Sequence, residues 1–160
     1  MSEVMCTWRR PSAADVGLAR ALIDQALVAV GIDTTGRGVA RLAVSEAFTN
    51  ALLHGRPEIG VEVWTRSEHC GVVEVYDTEP TLPCFPESGE LVDLFSEYGR
   101  GLALIQAFTR QVCGVYRYGQ GKRVWFAVDS DGTELNATEV RGLVEERARC
   151  RLPEPTMPVV

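Results

Sequence analysis

The chain has 160 residues, 46% of them hydrophobic and 24% charged, a composition that excludes intrinsic disorder and fibrous repeats. This length predicts one domain with a substantial core. The formal net charge of -6 argues against a constitutive nucleic-acid or anionic-membrane binder, because no basic surplus is available to neutralise phosphates. No segment is apolar enough for a membrane span or a signal peptide, so the sequence predicts a cytoplasmic protein without a membrane partner.

The cysteines are odd in number, widely spaced and without a Cys-x-x-Cys pair. With only two histidines in the chain, this pattern argues against a zinc site and against a disulfide framework. It favours buried or incidental thiols in a reducing compartment, with redox sensing as the alternative. The residues concerned are Cys6, Cys70, Cys84, Cys113 and Cys150.

The first elements are a short strand over residues 5–10 and a helix that Ser12-x-x-Asp15 begins in the manner of a capping box. Gly31 can end this helix with a positive φ. Its buried face is predicted from apolar residues spaced by three and four, namely Ala19, Leu22, Ile23, Ala26, Leu27 and Val30.

A second helix opens at Asp33 or Thr34 and ends at His54, before Gly55. Glu46 and Asn50 lie one turn apart on it. Helical geometry places them within the apolar arc of Val39, Leu42, Ala43 and Leu53. A carboxylate and a carboxamide facing inward are costly unless they are paired, hydrated or bound to a ligand, and the spacing favours a site over a satisfied structural pair.

Two strand-like segments follow, over residues 59–66 and 71–77, and Asp77 ends the second. The proline-rich stretch of residues 78–97 is long for a loop in a compact domain and is typical of a lid. Gly99-Arg100-Gly101 then predicts a glycine turn that leads into a helix over residues 102–108. The free N–H groups at the start of that helix would suit an anion.

The last predicted strands, residues 111–118 and 122–128, flank a hairpin turn at Gly119-Gln120-Gly121. The element order predicts an α+β fold, a two-layer sandwich of a mixed or antiparallel sheet covered on one face by helices. We expect residues 1–128 to form this domain. Residues 129–160 would be an acidic tail in which Asn136-x-x-Glu139 caps a helix that ends at Cys150, followed by a disordered end.

Three segments together resemble the GHKL ATPase superfamily: the helix Glu46-x-x-x-Asn50-x-x-x-His54-Gly55, Asp77 at a strand end, and Gly99-Arg100-Gly101-Leu102 before a helix. The chain looks most like the small stand-alone branch of bacterial anti-sigma-factor serine/threonine kinases and their actinobacterial relatives. The resemblance covers residues 5–128 and implies the Bergerat-type ATP-binding fold.

The resemblance also implies roles for these residues, with ATP and Mg²⁺ as cofactors. Asn50 matches the residue whose side-chain oxygen holds Mg²⁺, a cation that prefers oxygen ligands. Glu46 matches the acid that orients or deprotonates the incoming nucleophile. Asp77 matches the residue that accepts a hydrogen bond from the adenine amino group. Residues at the lid-to-helix turn, where N–H groups and a cation meet the phosphates, are matched by Gly99, Arg100, Gly101 and Leu102.

The chain departs from the family pattern in two places. Thr78-Glu79-Pro80 stands where glycines usually follow the aspartate, and Arg123 stands where threonine is common, so that one adenine-side hydroxyl contact would be missing. Solvated hairpin charges are the favoured interpretation of Lys122 and Arg123, over phosphate contacts. His54 is favoured as a helix-end packing residue over a ligand.

Two functions of different classes remain open. The first is an anti-sigma-type regulator that uses Mg·ATP to phosphorylate a serine of an anti-anti-sigma partner and so switches between partners. The second is a non-catalytic module that sequesters a sigma factor or another protein and binds nucleotide weakly or not at all. A free-standing hydrolase and a histidine-kinase fragment are lesser alternatives. The resemblance also suggests a homodimer through the first strand and first helix.

Overall fold

The computed structural model of the chain describes residues 2–87, 97–130 and 135–151. Helices and strands follow one another in the predicted order, which confirms the α+β fold. The elements are β1 Ser2–Trp8, α1 Asp15–Ala29, α2 Thr34–His54, β2 Ile59–Ser67, β3 Cys70–Asp77, α3 Glu97–Phe108, β4 Cys113–Tyr118, β5 Gly121–Asp129 and α4 Ala137–Cys150.

The strands form one sheet in the order β1-β2-β3-β5-β4, and each neighbouring pair is antiparallel. Of the two predicted kinds of sheet, the antiparallel one is therefore found. The first strand begins earlier than predicted and ends at Trp8 rather than residue 10. Its register explains the end point, because Trp8 pairs with Ile59, the first residue of β2, and no partner strand lies beyond it.

One face of the sheet, here called the front face, packs against α1, α2 and α3. Side chains alternate along a strand, so every second residue of the strands points to this side. Val61, Val73 and Phe126 meet Ile23 of α1 and Phe48 of α2 in one buried cluster. The front face therefore holds the main core, and packing in this core positions α2 against the sheet.

The opposite side of the sheet, the back face, is partly covered by α4. Trp64, Val72 and Trp125 form a second buried cluster there with Val140 and Val144 of α4. The cover on one face that the sequence predicted for residues 1–128 is confirmed for α1, α2 and α3, whereas the position of the tail helix on the back face was not predicted. The helix itself is confirmed with its cap, because the Asn136 side chain accepts a hydrogen bond from the Glu139 N–H at 3.1 Å.

Local signals account for the bounds of the first helix. The Ser12 N–H donates to the Asp15 carboxylate at 2.7 Å, but Ala14 is the N-cap of α1 and makes no side-chain cap hydrogen bond, so the predicted capping box at Ser12 is wrong. Gly31 follows the helix with φ of 84°, the left-handed conformation predicted for it. These residues set where α1 stops and turns back towards α2.

The glycine turn predicted before the third helix is not found. Gly99, Arg100 and Gly101 lie inside α3, whose described residues begin at Glu97. A glycine in a helix costs about 1 kcal/mol relative to alanine, so the sequence favoured a turn. Close packing of α3 on α2, described below, offsets that cost. Of the predicted lid, residues 78–97, the part from 88 to 96 lies outside the described residues.

Candidate functional site

Three polar side chains lie one turn apart on α2: Glu46, Asn50 and His54. The Asp33 side chain caps this helix by accepting from the Gly36 N–H at 2.9 Å, and Gly55 follows its last residue. Small buried residues on the same helix, Ala40, Ala43, Ala47 and Ala51, let neighbouring elements approach closely. The inward arc predicted from spacing is partly wrong, because Leu42 and Leu53 are 53% and 58% exposed.

The backbone of α3 comes against two of these side chains at Gly101. A Cβ at this position would lie 3.0 Å from Asn50 Nδ2 and 3.1 Å from Glu46 Oε2. Only glycine allows this approach without displacing the side chains. The residues that the sequence predicted to act together, on α2 and around residue 101, are therefore in contact.

The Asn50 amide is buried in this contact without a hydrogen bond. Its Nδ2 atom has no partner within the described structure. Leaving a buried polar group unsatisfied costs about 1–3 kcal/mol, so each such group calls for a physical explanation. The amide is thus uncommitted to the fold and available to a ligand or a metal ion.

Asp77 lies at the end of β3, on the other side of Gly55. Its Oδ1 accepts from Lys122 Nζ at 2.9 Å and from the Glu79 N–H at 2.8 Å. A Cβ at Gly55 would lie only 2.6 Å from the Asp77 carboxyl carbon. The side chain of Asp77 is 3% exposed, so the site holds a buried carboxylate next to a buried ammonium group.

The predicted interpretation of Lys122 and Arg123 as solvated hairpin charges is wrong for both residues. Each is 5% exposed, and alternation along β5 turns them to opposite faces of the sheet. Lys122 points to the front face and pairs with Asp77, with which it also shares strand register. Arg123 points to the back face, so the residue beside Asp77 on β5 is Lys122.

The sequence contained a signal for this arrangement. Phe126 and Val124 are buried residues of the front face, and counting back two positions from them reaches Lys122. A charged residue in that series, opposite an aspartate of a neighbouring strand, is the pattern of a buried ion pair. The prediction failed because the two residues were judged by their distance from the hairpin turn.

A narrow cavity connects these groups. Asn50, Gly55, Asp77, Leu102 and Lys122 all line it, and its volume of about 10 Å³ is near the minimum for one water molecule. A wider cleft of about 330 Å³ adjoins it along the Glu79–Cys84 loop and shares three lining residues with it. The shared residues are His54, Pro83 and Lys122.

The remaining predicted residues lie around this cavity in different ways. Leu102 is 1% exposed and lines it, whereas the Arg100 side chain is exposed on α3. Gly99 lies in the first described turn of α3. The predicted phosphate-binding residues are thus on one helix, without the turn that was expected to present them.

No group of three or more histidine, cysteine or acidic residues is placed to hold a metal ion within residues 2–87, 97–130 and 135–151. An Mg²⁺ ion held by substrate phosphates needs only one or two protein oxygens. The Asn50 side-chain oxygen is of the kind required, and it lies beside the cavity.

A charge cluster on the back face was not predicted. Glu62 and Glu74 stand directly opposite each other on β2 and β3, and Arg123 hydrogen bonds to both. Arg147 of α4 reaches Glu62 at 2.7 Å, and Arg151 binds the same carboxylate. Without the arginines, the two carboxylates would repel each other across the ladder.

These contacts change the acidity of Glu62. Burial would raise its pKa, but hydrogen bonds from Arg151, Arg123 and Arg147 outweigh burial and leave the pKa well below its usual range. The Glu62 carboxylate is therefore charged in the folded protein even under acidic conditions. The cluster ties α4 to the sheet through ionised groups.

Across the described helices, none combines the length and the apolar character needed to cross a bilayer.

Comparison with known proteins identifies one family. The family described as histidine kinase-like ATPase domain matches residues 10–128. No curated protein matches the chain.

Proposed function

Because the chain belongs to the family of histidine kinase-like ATPase domains, we propose that it binds Mg·ATP between α2, α3 and the ends of β3 and β5, and phosphorylates a serine of a partner protein. One observation carries the proposal. Glu46 and the uncommitted amide of Asn50 meet at Gly101, beside a cavity that Asn50 and Asp77 both line.

Asn50 would hold Mg²⁺ through its side-chain oxygen. The amide suits this role because its nitrogen has no hydrogen-bond partner in the described part of the chain and does not fix its orientation. Mg·ATP, when bound, supplies the γ-phosphoryl group, which passes to the serine oxygen as ADP leaves. The exposed Arg100 and the first N–H groups of α3 would contribute positive potential to phosphates.

Glu46 would act as the general base. It lies one turn before Asn50, and its Oε2 atom is at the same contact with Gly101. A carboxylate there can accept the proton of a serine hydroxyl as the oxygen bonds to phosphorus. Asp77, which lines the cavity, would accept a hydrogen bond from the adenine amino group.

The partner remains part of the proposal, through the resemblance to anti-sigma-factor kinases. We propose an anti-anti-sigma protein as the phosphate acceptor and a sigma factor as the second partner, in the cytoplasm. A phosphoserine adds about 1.5 to 2 negative charges to a binding surface and can release it from an acidic regulator with formal net charge -6. The homodimer through β1 and α1 stays a prediction.

The first test is calorimetric titration of ATP, with and without Mg²⁺, into the wild type and Asn50→Ala. We expect saturable binding that Mg²⁺ strengthens in the wild type, and loss of the Mg²⁺ effect in the variant. Gln25→Ala removes an exposed side-chain amide from α1 and is the matched control, with unchanged binding expected. Equal Mg²⁺ dependence in Asn50→Ala would contradict the metal role of Asn50.

The second test separates catalysis from binding. Glu46→Gln should bind Mg·ATP within about twofold of the wild type, because the carboxylate acts on the nucleophile. Phosphate transfer from labelled ATP to a purified anti-anti-sigma partner should fall by at least about 100-fold, the usual contribution of a general base. Parallel loss of binding and transfer would refute this division of roles.

A specific observation favours the non-catalytic alternative. The cavity of about 10 Å³ cannot accept a base as it stands, and Lys122 already pairs with Asp77. A module that sequesters its partner without nucleotide would keep this closed form. Absence of binding at millimolar ATP in a folded sample would support that function and contradict the kinase.

A further inference from the structure

Lys122 is the feature of the site that the proposed function leaves unused. Its ammonium group is buried on the front face and lines both the narrow cavity and the wider cleft. Burying a lysine is costly unless the charge is paired, and here Asp77 supplies the pairing. The pair lines the cavity in which the proposed function places the base.

The hydrogen bonds of the Asp77–Lys122 pair leave one N–H group of Lys122 and one carboxylate oxygen of Asp77 unused. Lys122 has three N–H groups and uses two, to Asp77 Oδ1 at 2.9 Å and to the Glu79 carbonyl at 3.2 Å. Asp77 uses Oδ1 for both of its hydrogen bonds, to Lys122 and to the Glu79 N–H. Within the described residues, Oδ2 has no donor, and it lies 2.8 Å from where a Cβ at Gly55 would stand.

A donor next to an acceptor matches adenine. The adenine amino group lies beside an acceptor on two edges of the base, N1 on one edge and N7 on the other. We infer that Asp77 and Lys122 read the N1 edge together: Asp77 Oδ2 accepts from the adenine amino group, and the third N–H of Lys122 donates to N1. The inference rests on the proposed ATP binding and adds a second base-reading residue to it.

An ammonium group at residue 122 makes selection of the base stricter than a hydroxyl group at that position would. A hydroxyl donates or accepts as needed, whereas an ammonium group only donates. Guanine and hypoxanthine in the same orientation would place a carbonyl at Asp77 and an N–H at Lys122. An acceptor would then face the acceptor of Asp77, and a donor would face the donor of Lys122. Both contacts are repulsive, so 6-oxopurines are rejected at both positions.

The test uses nucleotides altered at single atoms, titrated into the wild-type protein with Mg²⁺. The analogue 1-deaza-ATP lacks the N1 acceptor, and 7-deaza-ATP lacks a nitrogen on the other edge of the base. We expect 7-deaza-ATP to bind within about threefold of ATP, and 1-deaza-ATP to bind at least about tenfold more weakly, since a hydrogen bond from a charged donor is lost. Inosine triphosphate should also bind at least about tenfold more weakly.

Two variants complete the design. Lys122→Met should bind ATP and 1-deaza-ATP equally, whereas Arg117→Met, which removes an exposed cation paired with residue 122 in the strand register, should keep the tenfold difference. Circular dichroism shows whether Lys122→Met folds with Asp77 unpaired. The wild-type comparison decides the question even if that variant does not fold.

The outcomes separate this inference from the function beneath it. Saturable ATP binding with equal affinity for 1-deaza-ATP would overturn the role of Lys122 and leave the ATP site standing. Tighter binding of inosine triphosphate than of ATP would overturn the adenine assignment. No saturable binding of any of these nucleotides to the folded wild type would contradict the proposed function, and this inference with it.

Discussion

Gly101 is the position at which a single added methyl group tests the site. A Cβ there would lie within 3.0–3.1 Å of the side chains of Asn50 and Glu46, closer than ordinary contact. The packing role of Gly101 was not predicted from the sequence, because Gly99 and Gly101 together suggested only a turn. The function of Gly101 in close helix packing becomes visible when both helices are in place.

We therefore expect Gly101→Ala to destabilise the fold by about 1–3 kcal/mol through overpacking, and to weaken ATP binding. Gly142→Ala is the control, because Gly142 is exposed on α4 and nothing lies within 4 Å of its added Cβ. This substitution should stabilise by up to about 1 kcal/mol through helix propensity. Urea unfolding measures both, and a stabilising Gly101→Ala would contradict the packing argument.

Thiol reactivity gives a second prediction for individual residues. Burial, aided by the charges of Asp129 and Glu139, raises the pKa of Cys70 to about 11, so its thiol stays protonated at pH 8. Cys113 is buried, whereas Cys84 and Cys150 are exposed. Mass spectrometry after brief treatment with iodoacetamide should find Cys84 and Cys150 alkylated first. Early modification of Cys70 or Cys113 in the native protein would contradict this order.

At the scale of elements, α4 contributes to stability through both apolar and ionic contacts. Val144 is 2% exposed against the sheet, while its neighbour Glu145 is exposed. We expect Val144→Ala to cost about 1–3 kcal/mol, and Glu145→Ala to change stability by less than about 0.5 kcal/mol. Urea unfolding followed by tryptophan fluorescence reports on the contact, because Trp64 and Trp125 lie under the helix. Equal effects would mean that α4 is not docked.

The elements differ in how well the sequence predicts them. The first two helices carry complete local signals, such as the apolar spacing of α1 and the caps at Asp33 and Gly31, and their bounds were predicted closely. The start of α3 was not, because its helical glycines depend on packing against α2 rather than on propensity. The local sequence pattern predicts an element that its own residues stabilise. It does not predict an element that is stabilised by packing against residues distant in the sequence.

The same limit applies to the candidate site. Glu46 and Asn50 were predicted from helical spacing, and Asp77 from its place at a strand end. The Asp77–Lys122 pair joins residues 45 apart in the chain and was missed. The back-face cluster joins Glu62 to Arg147 and Arg151, residues 85 and 89 apart, and was not predicted either.

For the whole molecule, the back-face cluster makes stability depend on pH. The folded pKa of Glu62 lies below its unfolded value of about 4.3, so the carboxylate contributes fully above about pH 5. The contribution is lost as pH falls below that unfolded value towards the folded pKa. The free energy of unfolding should therefore decrease in acid, in a set of urea titrations between pH 3 and 7.

The variant Glu62→Gln removes the titrating group and is the control for this prediction. It should be less stable at pH 7, since Arg123, Arg147 and Arg151 lose a charged partner. Its stability should also change less between pH 5 and 3 than that of the wild type. An equal acid slope in both proteins would assign the pH dependence to other carboxylates.

The position of α4 after β5 in the chain has a consequence for biosynthesis. A ribosome completes all strands of the sheet before it makes the helix that covers the back face. Until then Trp64 and Trp125 are uncovered, and the facing carboxylates Glu62 and Glu74 share only Arg123. An apolar surface exposed on a growing chain is the kind of surface that chaperones recognise. The candidate site on the front face can thus assemble before α4 is made, while the apolar back face of the nascent protein still depends on chaperones.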